Sequence, residues 1–171
     1  MKPEPAEFAE FFTQWEPHVR RYLVWLEGDL ALIDDATQET MISAHRYWLR
    51  VQKLENVRAW LFKVARQRLA KAQQLRKQQG VITDPHEMPG RKSATCEDVL
   101  SLREDQLAIL SAVRKLPRQQ AVAVALQLQH DLPLREIALI MGITVGSVKT
   151  HLHHARATLE TLLSDVDGGA R

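Results

Sequence analysis

The chain has 171 residues, 45% of them hydrophobic and 26% charged, which suits one ordinary globular domain or two small ones. A single cysteine, Cys96, excludes a disulfide framework and a cysteine-rich zinc site, and it reads most simply as a neutral loop residue in a reduced compartment. The net charge of +2 hides an uneven distribution: residues 1–45 hold three basic and nine acidic side chains, residues 46–80 ten basic and one acidic.

The opening, Met1 to Glu10, is acidic and lacks the basic-then-apolar order of a signal peptide. No apolar run reaches the roughly 18 residues of a membrane span, so a cytoplasmic location is expected. Residues 6–27 carry Phe8, Phe11, Phe12, Trp15, Val19, Tyr22, Leu23 and Leu26 at steps of three and four, the period of an amphipathic helix. Pro17 predicts a break or a fresh start inside it, and Gly28 closes it. Residues 30–51 repeat the pattern with Ile33, Thr37, Thr40, Met41, Ala44, Tyr47, Trp48 and Val51. Residues 57–75 do so with Val57, Trp60, Leu61, Val64, Ala65, Leu69, Ala72 and Leu75, leaving Arg58, Lys63, Arg66, Lys71 and Arg76 off the stripe. This third helix is amphipathic with a cationic face. Its block of charge is either a polyanion footprint or a solvated helix surface.

Between about residues 77 and 98 the periodicity fails, and Gly80, Pro85, Pro89 and Gly90 fall close together. Some 20 residues without a pattern are unusual inside one compact domain, which predicts an interdomain linker. Helical signal returns near residue 99 with Leu102, Leu107, Leu110 and Val113. Pro117 restarts a helix, and residues 121–128, 133–141 and 145–163 follow. No alternating strand pattern and no internal repeat occur, so the fold class is all-α.

Residues 134–156 carry a more specific signal. Ala138, Gly142 and Val148 have the spacing of a helix-turn-helix. The small Ala permits close approach of two helices, Gly takes the left-handed turn, and Val packs the second helix on the first. Ile137, Ile143 and Leu152 complete that core. Thr144 is a candidate N-cap of the second helix. That helix buries Val148, Leu152, Ala155, Leu159 and Leu162, and exposes Ser147, Lys149, Thr150, His153, His154 and Arg156. The exposed set suits phosphates and base edges in a major groove. His151, His153 and His154 spread around the helix with no acidic or thiol neighbour, so a metal site is not expected.

Residues 116–160 resemble region four of the extracytoplasmic-function (ECF) subfamily of bacterial sigma-70-type RNA polymerase sigma factors. The matching residues are Leu116-Pro117, Arg135-Glu136-Ile137-Ala138, the run Gly142 to Lys149, and Arg156. Upstream, Asp34-Asp35-Ala36-Thr37-Gln38-Glu39-Thr40 looks like the acidic segment of sigma region two. Twenty-two residues after Gln38 begins Trp60-Leu61-Phe62-Lys63-Val64-Ala65-Arg66, similar to the family's Trp-Leu-x-x-Ile-Ala-Arg helix. Two motif blocks in the right order, separated by a linker, are more specific than either alone.

The resemblance implies two small helical domains joined by a flexible linker: a region-two bundle over 1–76, a linker over 77–98, a region-four helix-turn-helix domain over 99–165, and a tail over 166–171. It implies a factor that directs core RNA polymerase to specific promoters. Asp35, Gln38 and Glu39 would dock on the clamp helices of the polymerase largest subunit. Lys53, Asn56, Arg58, Lys63, Arg66, Gln67 and Lys71 would handle the minus-ten element, where a base is extruded and held while cations track the strand. Lys149, Thr150 and His153 would face bases of the minus-thirty-five element; Arg118, Ser147 and Arg156 would hold its phosphates. The linker would thread through the polymerase near the nascent RNA. An anti-sigma factor, often membrane-bound, is the further partner implied, and response to a stress the implied setting.

Three departures from the family pattern bear on specificity. Gln67 stands where Asn is frequent, Arg135 where an acid is common, and His151 and His154 where arginines are frequent. The recognition helix is therefore less cationic than usual, and its duplex binding is expected to be weak and strongly salt-dependent. No nucleophile, acid–base pair, phosphate-cradling loop, cofactor or metal site is indicated, so the protein is not expected to be an enzyme. The chain ends soon after Leu163, so control by a fused extra domain is not expected. Three other readings stand beside this one. A conventional helix-turn-helix regulator would bind palindromic operators as a dimer. A magnesium enzyme would use Asp34, Asp35 and Glu39. A helical interaction bundle would leave the basic segment unexplained.

Overall fold

The computed structural model describes residues 5–80 and 103–168. They form eight helices and, among the described residues, no strand, as the all-α expectation requires. The chain divides into two compact units, Met1–Val99 and Leu100–Arg171. From residue 81 onward the expected linker lies outside the described residues, as do Cys96 and the last three residues of the tail.

The first unit holds α1 (Pro5–Leu26), α2 (Leu30–Arg46), the single turn α3 (Trp48–Val51) and α4 (Val57–Gln78). Local chemistry starts the helices. Asp29 caps α2, its Oδ1 accepting from the N–H groups of Ala31 (2.9 Å) and Leu32 (3.4 Å), and Asn56 Oδ1 accepts from Ala59 N–H (2.9 Å) to cap α4. Each such cap contributes about 1 kcal/mol. Helix α2 packs chiefly on α4 and also on α1. Val19, Tyr22, Leu23, Ile33, Leu61 and Phe62 are completely buried between the three. The Tyr22 and Phe62 rings stack at 4.8 Å, worth roughly 0.5–1.5 kcal/mol beyond the area they bury.

Four details differ from the sequence expectation. Helix α1 runs through Pro17 without a break. Pro17 is exposed, so water can satisfy the carbonyl that its missing N–H leaves, and the buried residues after it keep the helix in register. Residues 30–51 are not one helix. The chain turns at Tyr47, and Trp48 enters the core against Phe8 and Phe11 at near-perpendicular ring angles of 85° and 79°. On α4, Phe62 lies off the expected stripe yet is fully buried, while Leu75 lies on it and is 47% exposed. Finally α4 continues to Gln78. Its last turns are tied to the α1–α2 connection, where Gln73 donates to Glu27 (2.7 Å) and Arg76 pairs with Asp29.

The second unit holds α5 (Glu104–Arg114), α6 (Arg118–His130), α7 (Leu134–Met141) and α8 (Val145–Gly168). Helix α6 is central. Its six successive residues Ala121 to Leu126 are buried, which requires neighbours on every side, and α5, α7 and α8 all pack on it. It ends at Asp131, held in the left-handed region at φ +49°, a conformation that Asp tolerates better than most residues. Leu132 is then buried and Pro133 precedes α7.

Candidate functional site

In the first unit, Asp35, Gln38 and Glu39 stand exposed on α2, three and four residues apart and so on neighbouring rows of one side. Across from them α4 contributes Arg68, Lys71 and Arg76, and the six residues line a groove of about 450 Å³. Leu32, Ala36 and the half-exposed Leu75 supply its apolar part. Two of these cations are engaged within the unit: Arg68 donates to Ser43 Oγ (2.9 Å), and Arg76 pairs with Asp29. The basic segment is thus partly a set of internal ties. Arg68 was not singled out from the sequence, although its position three residues before Lys71 on the same helix put it beside the groove.

Asp34 parts company with its neighbour. It is buried, and its Oδ1 accepts from an Arg20 guanidinium nitrogen at 2.5 Å. Arg20 also donates to Glu16 through Nε at 2.7 Å. Asp34 therefore serves the α1–α2 interface, whereas Asp35 and Glu39 face outward. The three carboxylates of the magnesium reading do not converge, and among the described residues no three His, Cys, Asp or Glu side chains form a metal-holding group.

Among the expected minus-ten residues, Lys63, Gln67 and Lys71 make one exposed row along α4 at successive steps of four. Lys71 belongs both to this row and to the groove. Arg58 and Arg66 are half-buried, and Lys53 is exposed in the connection between α3 and α4. The side-chain carbonyl of Asn56 is occupied by its cap bond to Ala59. Trp60 is half-buried and Trp48 buried, which assigns Trp48 to packing.

The second unit contains the helix-turn-helix. Gly142 ends α7 in the left-handed region at φ +68°, its N–H bonding to the Ala138 carbonyl, and Ile143 N–H bonds to the same oxygen at 3.1 Å. Thr144 Oγ1 then accepts from Ser147 N–H (3.1 Å) and lies 3.0 Å from the Ser147 hydroxyl, an N-cap that starts α8. Ala138 and Val148 are buried as the spacing requires, with Ile137, Ile140 and Ala155 around them; Ile143 and Leu152 are half-buried. Lys149, Thr150, His153, His154 and Arg156 are exposed on α8, and His151 is half-buried. Ser147 is less available than expected, because it is half-buried and engaged with Thr144. Arg118 is exposed at the first position of α6.

A helical unit with an exposed acidic face and a basic row, and a second with a helix-turn-helix, have the features expected of a DNA-binding protein. Residues 11–80 match the family model "Sigma-70 region 2", and residues 106–159 match "Sigma-70, region 4". The ECF RNA polymerase sigma factor BldN of Streptomyces coelicolor is 30% identical over 168 residues, covering 95% of this chain and 62% of BldN. SigL of Mycobacterium tuberculosis, another ECF sigma factor, is 27% identical over 94% of this chain and 93% of its own length. Among solved structures, the sigma factor RpoE of Bartonella quintana, determined with the anti-sigma factor NepR, shares the fold with a TM-score of 0.72 at 21% identity, over 92% of this chain and 97% of that one. CnrH, determined with the cytosolic domain of CnrY, does so with a TM-score of 0.64 at 19% identity, over 95% and 90%. The chain belongs to the ECF group of the sigma-70 family.

Proposed function

We propose that this chain is an initiation factor that docks on core RNA polymerase and directs it to promoters carrying two separated elements. What carries the reading is the pairing in one chain of an outward acidic face on α2 with a helix-turn-helix, each inside the segment matching its own sigma-70 region. Asp35, Gln38 and Glu39 pair with basic residues of the polymerase clamp helices, where complementary charge sets orientation and rate of association. The row Lys63, Gln67 and Lys71, with Lys53, Asn56, Arg58 and Arg66, handles the opened minus-ten strand. Lys149, Thr150 and His153 read the minus-thirty-five duplex from the major groove, and Arg118, Ser147 and Arg156 hold its backbone.

In this reading the chain contributes binding energy and the core enzyme performs the chemistry. It acts in the cytoplasm, and no helix among the described residues is long and apolar enough to cross a membrane. An anti-sigma factor is a further proposed partner, of the kind with which RpoE was solved.

The test adds purified protein to bacterial core RNA polymerase on a genomic template and maps transcript starts. A new set of starts sharing two spaced upstream motifs is the expected result. Binding of duplex DNA by the protein alone, with no promoter-specific initiation by the core enzyme, would establish a conventional regulator instead.

A further inference from the structure

We infer that the part-buried ion-pair network Glu16–Arg20–Asp34 is a positioning device for the docking face of α2, with Asp34 its key residue; this rests on the docking reading of Asp35, Gln38 and Glu39. Asp34 is the only charged residue buried among the described ones. It precedes Asp35 directly and lies one turn before Gln38. Its side chain is 12% exposed and that of Arg20 13%, with Glu16 at 18%.

A buried ion pair is a poor way to gain stability, because desolvation offsets most of the attraction and apolar residues of similar volume do as well or better. What a charged pair provides and an apolar contact does not is direction. Two other buried polar residues of α2 return their hydroxyls to their own helix, Thr37 to the Ile33 carbonyl and Thr40 to that of Ala36, both at 2.7 Å. Ser43 also donates to its own helix, to the Glu39 carbonyl at 2.8 Å, but its oxygen accepts in addition from Arg68 on α4, and Asp34 accepts from Arg20 on α1. These bonds near the two ends of α2 fix its rotation about its own axis. Rotation matters to docking, since a carboxylate about 6 Å from the helix axis moves about 1 Å for a turn of about 10°. Arg20 suits the role because its planar fork reaches Glu16 and Asp34 together, which a lysine ammonium cannot reproduce with the same geometry.

The test measures equilibrium binding of the full chain to core RNA polymerase for three variants, well below the unfolding transition, with helical circular dichroism to establish folding. Asp34→Asn is expected to stay folded, to bind core about tenfold more weakly, and to initiate at the same start sites once saturating. Arg20→Lys keeps the charge and is expected to show a smaller loss in the same direction. A folded variant of either kind that binds within about twofold of the native chain overturns the inference, even if its melting temperature falls, since that is the mark of a merely structural pair. Should Asp34→Asn fail to fold, Arg20→Lys decides by the same criterion. Glu39→Arg separates this inference from the reading beneath it. Native-like binding by Glu39→Arg overturns the docking reading itself; strong loss there beside native-like binding by folded Asp34→Asn overturns only the positioning role.

Discussion

Helices α2 and α8 each present polar side chains to solvent, but their buried sides are made differently. Helix α8 turns Val148 and Ala155 inward with the half-buried Leu152 and Leu159, an apolar stripe at helical spacing. Helix α2 buries Leu32, Ile33, Ala36, Met41 and Ala44 together with Asp34, Thr37, Thr40 and Ser43. An apolar stripe sets how deep a helix sits and leaves its rotation to packing. A mixed stripe adds bonds with direction, at the expense of desolvating polar groups. Helix α8 instead receives its orientation from its start, where the Gly142 turn and the Thr144 cap fix the entry angle.

The contrast can be broken at several points. The largest effect is expected in the first unit, where the Tyr22–Phe62 stack joins α1 to α4. Phe62→Ala should lower its stability by about 3–5 kcal/mol, read by denaturant unfolding followed through tryptophan fluorescence. A loss under about 1 kcal/mol would mean that α4 is not held at this point. Next comes the acidic face. Glu39→Arg should weaken core polymerase binding by roughly a hundredfold, since like charge at a polar interface costs several kcal/mol. Binding of isolated minus-thirty-five duplex should be unchanged, and a matching loss there would deny the division of labour between α2 and α8.

On α8 the expected effects are smaller and differ in kind. Lys149→Ala should cost about 1–3 kcal/mol of discrimination at one promoter position. Arg156→Ala should instead lower the slope of log affinity against log salt by about 0.9, one phosphate contact, across all sequences. Competition binding with point-substituted duplexes at several salt concentrations distinguishes the two. Gly142→Ala should destabilise the second unit by about 1–2 kcal/mol from backbone alone, because an added Cβ meets nothing within 4 Å. A thermal melt followed by circular dichroism reads this loss. The smallest effect is expected at Arg76, whose pair with Asp29 is 28% and 38% exposed. Arg76→Ala should cost about 0.2–1 kcal/mol in the melt and little promoter affinity, since this cation is already tied to α2.

Much of this protein was legible residue by residue. Helical periodicity gave the helices, and the spacing of Ala138, Gly142 and Val148 gave the helix-turn-helix with its turn and cap, because each of those features is local: a steric rule at one φ angle and one hydroxyl three residues before the amide it caps. The outward placement of Asp35, Gln38 and Glu39, and of Lys149, Thr150, His153 and Arg156, followed from the same period.

The tertiary structure decided the rest. Pro17 stays inside a helix because packing after it outweighs one lost bond, and the helix breaks at Tyr47 because Trp48 is drawn to the rings of α1. Of two adjacent aspartates, one is exposed and one is buried against Arg20, fourteen residues earlier. Of ten cations in one basic segment, Arg68 and Arg76 are turned inward to α2 and to its capping residue. Charge counts and stripes cannot distinguish these, since a side chain's partner depends on which helix lies across from it. That is settled by contacts between residues far apart in the chain, after the helices have packed.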